Sequence, residues 1–442
     1  MVRTKLRYKI LLFFIIAGCV SANVANAQLS TVFGKVFTDI LADQLQRSGS
    51  PGQHGMHFIE AADLANSVLT PALNSLVANN VSSFPLSSTS AGVTFDFSTG
   101  QPVSITESLG PIFAETARTL GKGKINIGAN FTYLSLSKFR GMDTNDIRFT
   151  FTHQDVTSDG TLGESPNESD TIDLNMDLDV NASIVALFAT LGVTNSLDIG
   201  IAVPFINVSL SGTAQANVNS FTYAALGTAN HNFGQDVNNP QLQTTSPYDE
   251  SATGLGDIAF RLKYSFARGA GLDVAAFADL RLPTGDEDDF LGTGKTNFKI
   301  SGVASKKIGD FTPHLNVAYD KRSAELDSDE FEFIFGFDQK VISGLTFAFD
   351  VLGEVDVNND EVIELFPGTK TIVDRATNGQ AIRKVDLSNI PERDNDNTYN
   401  ASFGFRYAPS ASVILLGNLL VPLNDGGLRS TVAPTVGLTI SL

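Results

Sequence analysis

Between residues 124 and 442 the chain repeats one pattern, a long run in which apolar and polar side chains alternate. Ile125, Ile127, Ala129, Phe131 and Tyr133 alternate with Asn126, Gly128, Asn130 and Thr132, and Ile172, Leu174, Met176 and Leu178 alternate with Asp173, Asn175, Asp177 and Asp179. The same holds for Phe260, Leu262, Tyr264 and Phe266 against Arg261, Lys263 and Ser265, and for Phe403, Phe405 and Tyr407 against Ser402 and Arg406. A side-chain period of two marks a β-strand with two unlike faces. Strands of soluble sandwiches average about 5–6 residues, whereas most of these runs reach the about 9–11 residues that a tilted strand needs to cross a bilayer. Beyond the N-terminal leader no segment has the roughly 18 consecutive apolar residues of a membrane helix. A membrane chain without such helices must close its strands into a barrel, because lipid satisfies no backbone polar group.

The connections point the same way. Short ones near 193–196, 267–270, 308–311, 341–344 and 409–410 alternate with long polar ones at 212–254, 284–296, 322–329, 355–397 and 423–430. Outer-membrane barrels sort their connections so, short in the periplasm and long outside. Thirteen segments read as strands, at about 124–136, 146–156, 170–191, 196–211, 255–266, 271–283, 297–307, 312–321, 330–340, 344–354, 397–408, 411–422 and 430–442. Single-chain bacterial barrels have even strand numbers, so a fourteenth is expected. It lies either in 92–108, where Val93 to Phe97 alternate, or beyond a turn near Asn181 that splits the long segment 170–191. The expected fold is all-β: a transmembrane antiparallel up-and-down β-barrel of about 14 strands, spanning 92–442, with a short N-terminal helical segment. With no Trp, any interfacial girdle must come from the eight Tyr and some of the 32 Phe.

Residues 1–27 read as a signal peptide. Arg3, Lys5, Arg7 and Lys9 precede the apolar run Ile10 to Ala17, and Ala25-Asn26-Ala27 is a cleavage site that would leave Gln28 first. Ile16-Ala17-Gly18-Cys19 competes as a lipobox, with Cys19 as the lipidated residue. Residues 28–91 have helical character. Leu29, Val32, Phe33, Val36, Phe37, Ile40 and Leu41 follow the 3–4 spacing of an amphipathic helix, and Leu64, Val68, Leu73, Leu76 and Val77 repeat it more weakly. This segment is expected to plug the lumen or to cap the periplasmic mouth.

Composition excludes several classes of function. The leader holds four of the 30 bases and none of the 48 acids, so the mature chain stands at −22, which argues against a nucleic-acid partner. Cys19 is the only cysteine, which excludes a disulfide framework. No Gly-x-Ser-x-Gly elbow, P-loop or paired-cysteine motif occurs, so neither an enzyme nor a cofactor is expected.

Three stretches carry a resemblance. Leu109-Gly-Pro-Ile-Phe-Ala-Glu-Thr-Ala-Arg-Thr-Leu-Gly-Lys-Gly-Lys124 resembles the lead-in to a family's first strand. Gly254-Leu-Gly-Asp-Ile-Ala-Phe-Arg-Leu-Lys-Tyr264 and Leu280-Arg-Leu-Pro-Thr-Gly-Asp-Glu-Asp-Asp-Phe-Leu-Gly-Thr-Gly294 resemble later strands and a loop of it. The family is the outer-membrane proteins labelled as the meta-pathway of phenol degradation, similar in turn to barrels that import long-chain fatty acids and aromatic hydrocarbons. The resemblance covers most of 84–442 and implies a transporter-like barrel for hydrophobic compounds, without fixing a substrate.

Candidate sites are few. Asp173, Asp177, Asp179, Asp257 and Asp279 are expected to face Arg261, Lys263, Arg281 and Arg406 across the lumen, either lining a pore or pairing to fill it. Asp286, Glu287, Asp288 and Asp289 form an acidic loop that reads as a solvated turn or as a weak divalent-cation site bridging lipopolysaccharide. His54, His57 and Glu60 could meet on one helical turn, although the neighbouring Gly49, Pro51, Gly52 and Gly55 favour a loop. His153, His231 and His314 lie far apart in sequence. The expected role is an outer-membrane channel for small, hydrophobic or aromatic compounds, with membrane lipid, lipopolysaccharide and small-molecule cargo as partners. The alternatives are a diffusion porin for polar or cationic solutes and a non-transport surface protein that uses 212–254 and 355–397. Nothing in the sequence sets an oligomeric state.

Overall fold

The computed structural model describes residues 28–47, 55–82, 95–96, 101–102, 108–163, 168–227, 229, 231–234, 239–267, 272–322, 328–357, 364–374, 381–410 and 412–441. The leader, Cys19 and His54 lie outside the described residues. Twelve strands pair antiparallel with their sequence neighbours and close on themselves. They are β1 (Ile125–Phe139), β2 (Thr171–Gly192), β3 (Leu197–Asn219), β4 (Ile258–Ala267), β5 (Asp273–Leu282) and β6 (Asn297–Ser305). The circuit continues through β7 (Phe311–Lys321), β8 (Glu330–Ile342), β9 (Leu345–Asp356), β10 (Thr398–Ser410), β11 (Val413–Pro422) and β12 (Ala433–Ser441). Closure is the β12–β1 ladder, from Thr435↔Thr132 to Ser441↔Asn126. No helix among the described residues is long and apolar enough to cross a membrane.

The up-and-down barrel is as expected, but its wall has twelve strands and not fourteen. Twelve of the thirteen segments read from the sequence are wall strands. The other, Ile147–Thr152, pairs with the upper part of β2 and, through a bridge of Phe149 to Ser388, with the loop after β9, and is not part of the wall. Within 92–108, the pairs Phe95–Asp96 and Gln101–Pro102 bond each other and stand outside the barrel sheet. There is no turn at Asn181 either: β2 runs unbroken for 22 residues, paired to β3 from Thr171↔Asn219 to Gly192↔Asp198.

Such a strand is about 70 Å long at roughly 3.3 Å per residue, far more than a bilayer needs, and its polarity changes along its length. Even-numbered residues are buried throughout β2. On the outward face, Val185, Leu187, Ala189 and Leu191 occupy the half nearest the short turn, whereas Asp173, Asn175, Asp177 and Asp179 occupy the other. The outward face is therefore lipid-like below and water-like above. Strand Gln243–Leu255 continues β4 upward along β3, and with Ile147–Thr152 it makes β2 and β3 the centre of a four-stranded blade at the long-loop end. Below the blade, outward apolar residues such as Phe131, Ile199, Leu262, Tyr264, Ile300, Leu315, Phe335, Phe405, Leu419 and Leu438 form an exposed belt. A soluble monomer does not carry a patch of this extent, and a bilayer covers it.

Two helical runs pack on the inner face of the blade. The first joins the turn Leu29–Thr31, the helix α1 (Val32–Thr38) and the π-type turn Asp39–Gln44. Its apolar stripe Val32, Phe33, Val36, Phe37, Ile40 and Leu41 is buried as its spacing requires. The second joins Gly55–Phe58, α2 (Ile59–Leu64), the π-type turn Ala65–Leu69 and α3 (Thr70–Ser82). Here one detail departs from the periodic reading: Leu64 and Val68 face solvent, while Leu69, Leu73, Leu76 and Val77 are buried. The π-type turn adds a residue to its loop and rotates the buried face by one position. Phe37 packs edge-on against Phe149 and Phe151, and Phe33 against Tyr248. The helices therefore lie opposite the short-turn mouth at which a cap is one of the two expectations.

The polarity change gives a direct test in the refolded protein. Leu262→Arg should lower unfolding stability by about 2–4 kcal/mol, the cost of a lipid-facing cation near the bilayer midplane. Asp179→Ala, on the outward face of the blade, should stay within about 0.5 kcal/mol. Denaturant titration in lipid vesicles reads both.

Candidate functional site: a lumen filled by the chain's own N-terminal segment

A twelve-stranded wall encloses more space than its own side chains fill. The lead-in to β1, residues 108–124, occupies that space at the short-turn end. Leu109, Ile112, Ala114 and Ala117 are buried, as is Glu115. Beginning at Leu109, the segment is bonded to the wall at successive points. Leu109 N–H donates to Thr346 Oγ1 (2.9 Å), its carbonyl accepts from Arg406 (3.4 Å), and Phe113 N–H donates to Asp350 (3.4 Å). At the far end Arg118 pairs with Asp273 (2.8 Å) and Leu120 N–H donates to Asp198 (2.9 Å). Ile112 lies on Gly404, where an added Cβ would come within 2.2 Å of its Cδ1. The wall needs a glycine at that point of closest approach.

Glu115 is the electrostatic centre of this plug. Its carboxylate meets Arg261 Nη1 at 2.5 Å and Lys263 Nζ at 3.1 Å, and Arg261 also grips Asp279 through two bonds of 2.6 and 2.7 Å. Asn316, with its amide nitrogen toward the Glu115 carbonyl, bonds both backbone groups of Glu115 (3.1 and 2.6 Å). Farther round the wall His314 Nε2 reaches Asp350 at 2.6 Å and its Nδ1 lies 3.5 Å from Asp338. Lys299 bridges Glu332 (2.5 Å) and Asp320 (3.3 Å). Charges of both signs are thus paired in a low-dielectric interior, where removing one partner is far costlier than losing a surface pair.

Above Glu115 a cavity is lined by Phe113, Arg261, Asp279, Arg281, Lys299 and Glu332. Its volume is about 80 Å³. This is room for a few ordered waters and not for a wide aqueous column. Its upper rim is Arg281, whose guanidinium donates to the Ser82 carbonyl at the end of α3 (3.4 Å), a cation at a helix C-terminus.

Of the nine residues expected in the lumen, Arg261, Lys263, Asp279, Arg281 and Arg406 face it. Asp257 does not: its carboxylate accepts from Gly285 N–H, Thr293 N–H and Thr293 Oγ1 (2.9–3.0 Å), pinning the loop after β5. Asp173, Asp177 and Asp179 are corrected outright, since they share the outward face of the blade. Asp173 is bonded there by Thr150 and Asn219 (both 2.8 Å). The acidic loop Asp286, Glu287, Asp288 and Asp289 caps the first helical run. Ser30 N–H donates to the Asp288 carbonyl (2.8 Å), Ser30 Oγ to its side chain (3.1 Å), and Leu29 N–H to Asp289 (3.3 Å). Negative charge at a helix N-terminus is stabilising.

Sequence reasoning missed Glu115, Lys299, His314, Asp320, Glu332, Asp338 and Asp350. Six of the seven were within reach, because each falls on the inward parity of its own strand. The histidines also assemble differently from their spacing. Glu60 is exposed, whereas His57, His153 and His231 bring ring nitrogens within 4.8 Å of one another. Among the described residues no other group of three or more His, Cys, Asp or Glu side chains converges in this way.

The family model described as the putative MetA-pathway of phenol degradation matches residues 144–425, more than half of the chain. The chain belongs to this family. Two of the three stretches that carry the resemblance, 254–264 and 280–294, lie within the matched span, while the plug at 109–124 precedes it. Among solved structures, the chain is similar to an outer membrane channel from Pseudomonas putida F1 at 12% identity, covering 74% of this chain and 98% of that one, with a TM-score of 0.40. It is similar to the NanC porin at 10% identity over 67% and 99%, TM-score 0.34, and to the P. putida toluene transporter TodX at 8% over 72% and 89%, TM-score 0.30. No curated protein matches the chain.

Glu115→Gln removes the carboxylate that Arg261 and Lys263 share. It should weaken docking of residues 108–124 by about 3–5 kcal/mol, the cost of breaking a buried charged pair. In detergent solution, trypsin should then cut after Arg118 or Lys122 far faster than in the parent protein. Equal resistance in both proteins would mean that Glu115 does not hold the plug.

Proposed function

We propose that this protein is a gated outer-membrane channel for the uptake of small hydrophobic or aromatic compounds. The observation that carries this reading is the filled lumen, in which residues 108–124 are tied to the wall by polar contacts that can be broken and remade. An open diffusion porin needs a continuous aqueous path, and the plug interrupts it. The short turns then face the periplasm and the blade faces outward. The outer end supports the cargo class. Between blade and helices Phe33, Phe37, Phe149, Phe151, Phe366 and Tyr248 pack edge-on in a buried aromatic cluster, an environment of the kind an apolar solute prefers to water. The phenol-degradation label of the family and the toluene cargo named for TodX agree with it.

The paired charges below remain compatible with gating. A small movement of Glu115 exchanges one set of partners for water, and the wall carries both signs, so no single ionic species is favoured. Cells expressing the protein in their outer membrane should take up radiolabelled toluene faster and saturably, while the purified protein in planar bilayers stays nearly silent. A steady cation-selective current without toluene uptake would instead assign a diffusion porin. Silence in both assays, with partner binding abolished by deleting 355–397, would assign a surface-binding protein.

A further inference from the structure

Three histidines from three separate parts of the chain meet at the long-loop end. His57 stands on the turn Gly55–Phe58 that opens the second helical run. His153 directly follows the blade strand Ile147–Thr152, and His231 lies in the two-residue strand His231–Asn232, which pairs with Gln46–Arg47 after the first helical run. His57 Nδ1 is 2.9 Å from His153 Nε2, and the third ring stands with its centroid 6.0 Å from His57 and 5.1 Å from His153. Phe58, fully buried, packs edge-on against His153 and His231 and walls the group on one side.

The rings are oriented by groups behind them. His153 Nδ1 lies 2.7 Å from the Gln154 carbonyl and His231 Nδ1 2.8 Å from Asp170 Oδ2. This leaves Nε2 of each as the coordinating nitrogen, the carbonyl–histidine and carboxylate–histidine arrangement that fixes metal-binding imidazoles. His57 is only half-buried, so the group is reached from solvent on that side.

We propose that His57, His153 and His231 form a three-histidine site for a divalent transition-metal ion of the zinc class, clamping the helical segment to the blade. Imidazole nitrogens favour Zn²⁺ over the oxygen-seeking Ca²⁺ and Mg²⁺. Three protein ligands and one open position is a recurring zinc geometry, and metal–nitrogen bonds of about 2.0–2.1 Å hold ligand nitrogens about 3.3 Å apart. The present spacings reach that with small ring rotations. Protons can be shared between imidazoles only in pairs, whereas one ion satisfies three lone pairs together. The clamp is independent of what the channel carries.

The test uses the full mature protein in detergent, stripped with chelator and then titrated with ZnCl₂ by calorimetry. One Zn²⁺ should bind per chain, Co²⁺ in its place should give the visible bands of tetrahedral nitrogen coordination, and the thermal midpoint should rise with zinc concentration. His57→Ala and His231→Ala should each weaken binding by at least about 100-fold, beyond what loss of an outer-shell partner costs. His57→Ala, at a half-exposed helix end, keeps the test valid if His231→Ala does not fold, with heat-modifiable gel mobility reporting the folded barrel. Glu60→Gln should leave affinity unchanged. Absence of stoichiometric binding by the folded parent protein, or unchanged affinity in folded His57→Ala, would overturn the site.

Discussion

Hydrocarbon offers no hydrogen-bond partner, so every N–H and C=O of a segment that crosses it must be bonded within the protein. In a chain without membrane helices, only a sheet closed on itself does this. The β12–β1 ladder that completes the circuit is therefore the contact on which all else depends. It removes the last edge of the barrel wall and encloses a lumen. It also makes every strand position either outward or inward. The inward positions then have to be filled, and the filling is where this protein differs from a plain pore.

Two separate pieces of the N-terminal region pack against inward faces, the segment 108–124 inside the wall and the helices on the blade above it. At the long-loop end the helices are held by apolar burial against the blade. Their termini meet complementary charge, Asp288 and Asp289 at the start of the first run and Arg281 at the end of the second. At the short-turn end the segment 108–124 buries Leu109, Ile112, Phe113 and Leu120 and is also tied to the wall by charge and hydrogen bonds centred on Glu115. Apolar packing loses free energy gradually as surfaces separate, whereas a network of buried ion pairs either holds or lets water in. On the proposed reading the charged network around Glu115 makes the lower plug the gate and the upper helices the more permanent lining.

Much of the architecture was legible because barrel physics writes itself into parity. Ile125 to Tyr133 and Phe260 to Phe266 face outward and their neighbours inward, as a period of two requires. Parity failed at Asp173, Asp177 and Asp179 for an instructive reason. The alternation there is as regular as anywhere, but those residues stand above the bilayer, where the outer face is wet and the inner face packs on helices. Alternation identifies two faces and does not say which is inside. A 22-residue strand also looked too long to be single, because the blade that continues it beyond the membrane is assembled from pieces of β4's extension and Ile147–Thr152.

By itself, then, the sequence determined the all-β class, the sorting of short turns from long loops, twelve of the wall segments and the buried stripe of the first helical run. All of these follow from local spacing, which a chain carries whatever it folds against. Only the tertiary structure decided that Glu115 meets Arg261 across 146 residues and that His57, His153 and His231 share one pocket. It also decided that the lead-in to the first strand turns into the lumen. Those contacts depend on closure, and closure brings together positions whose separation along the chain has no bearing on their distance in space.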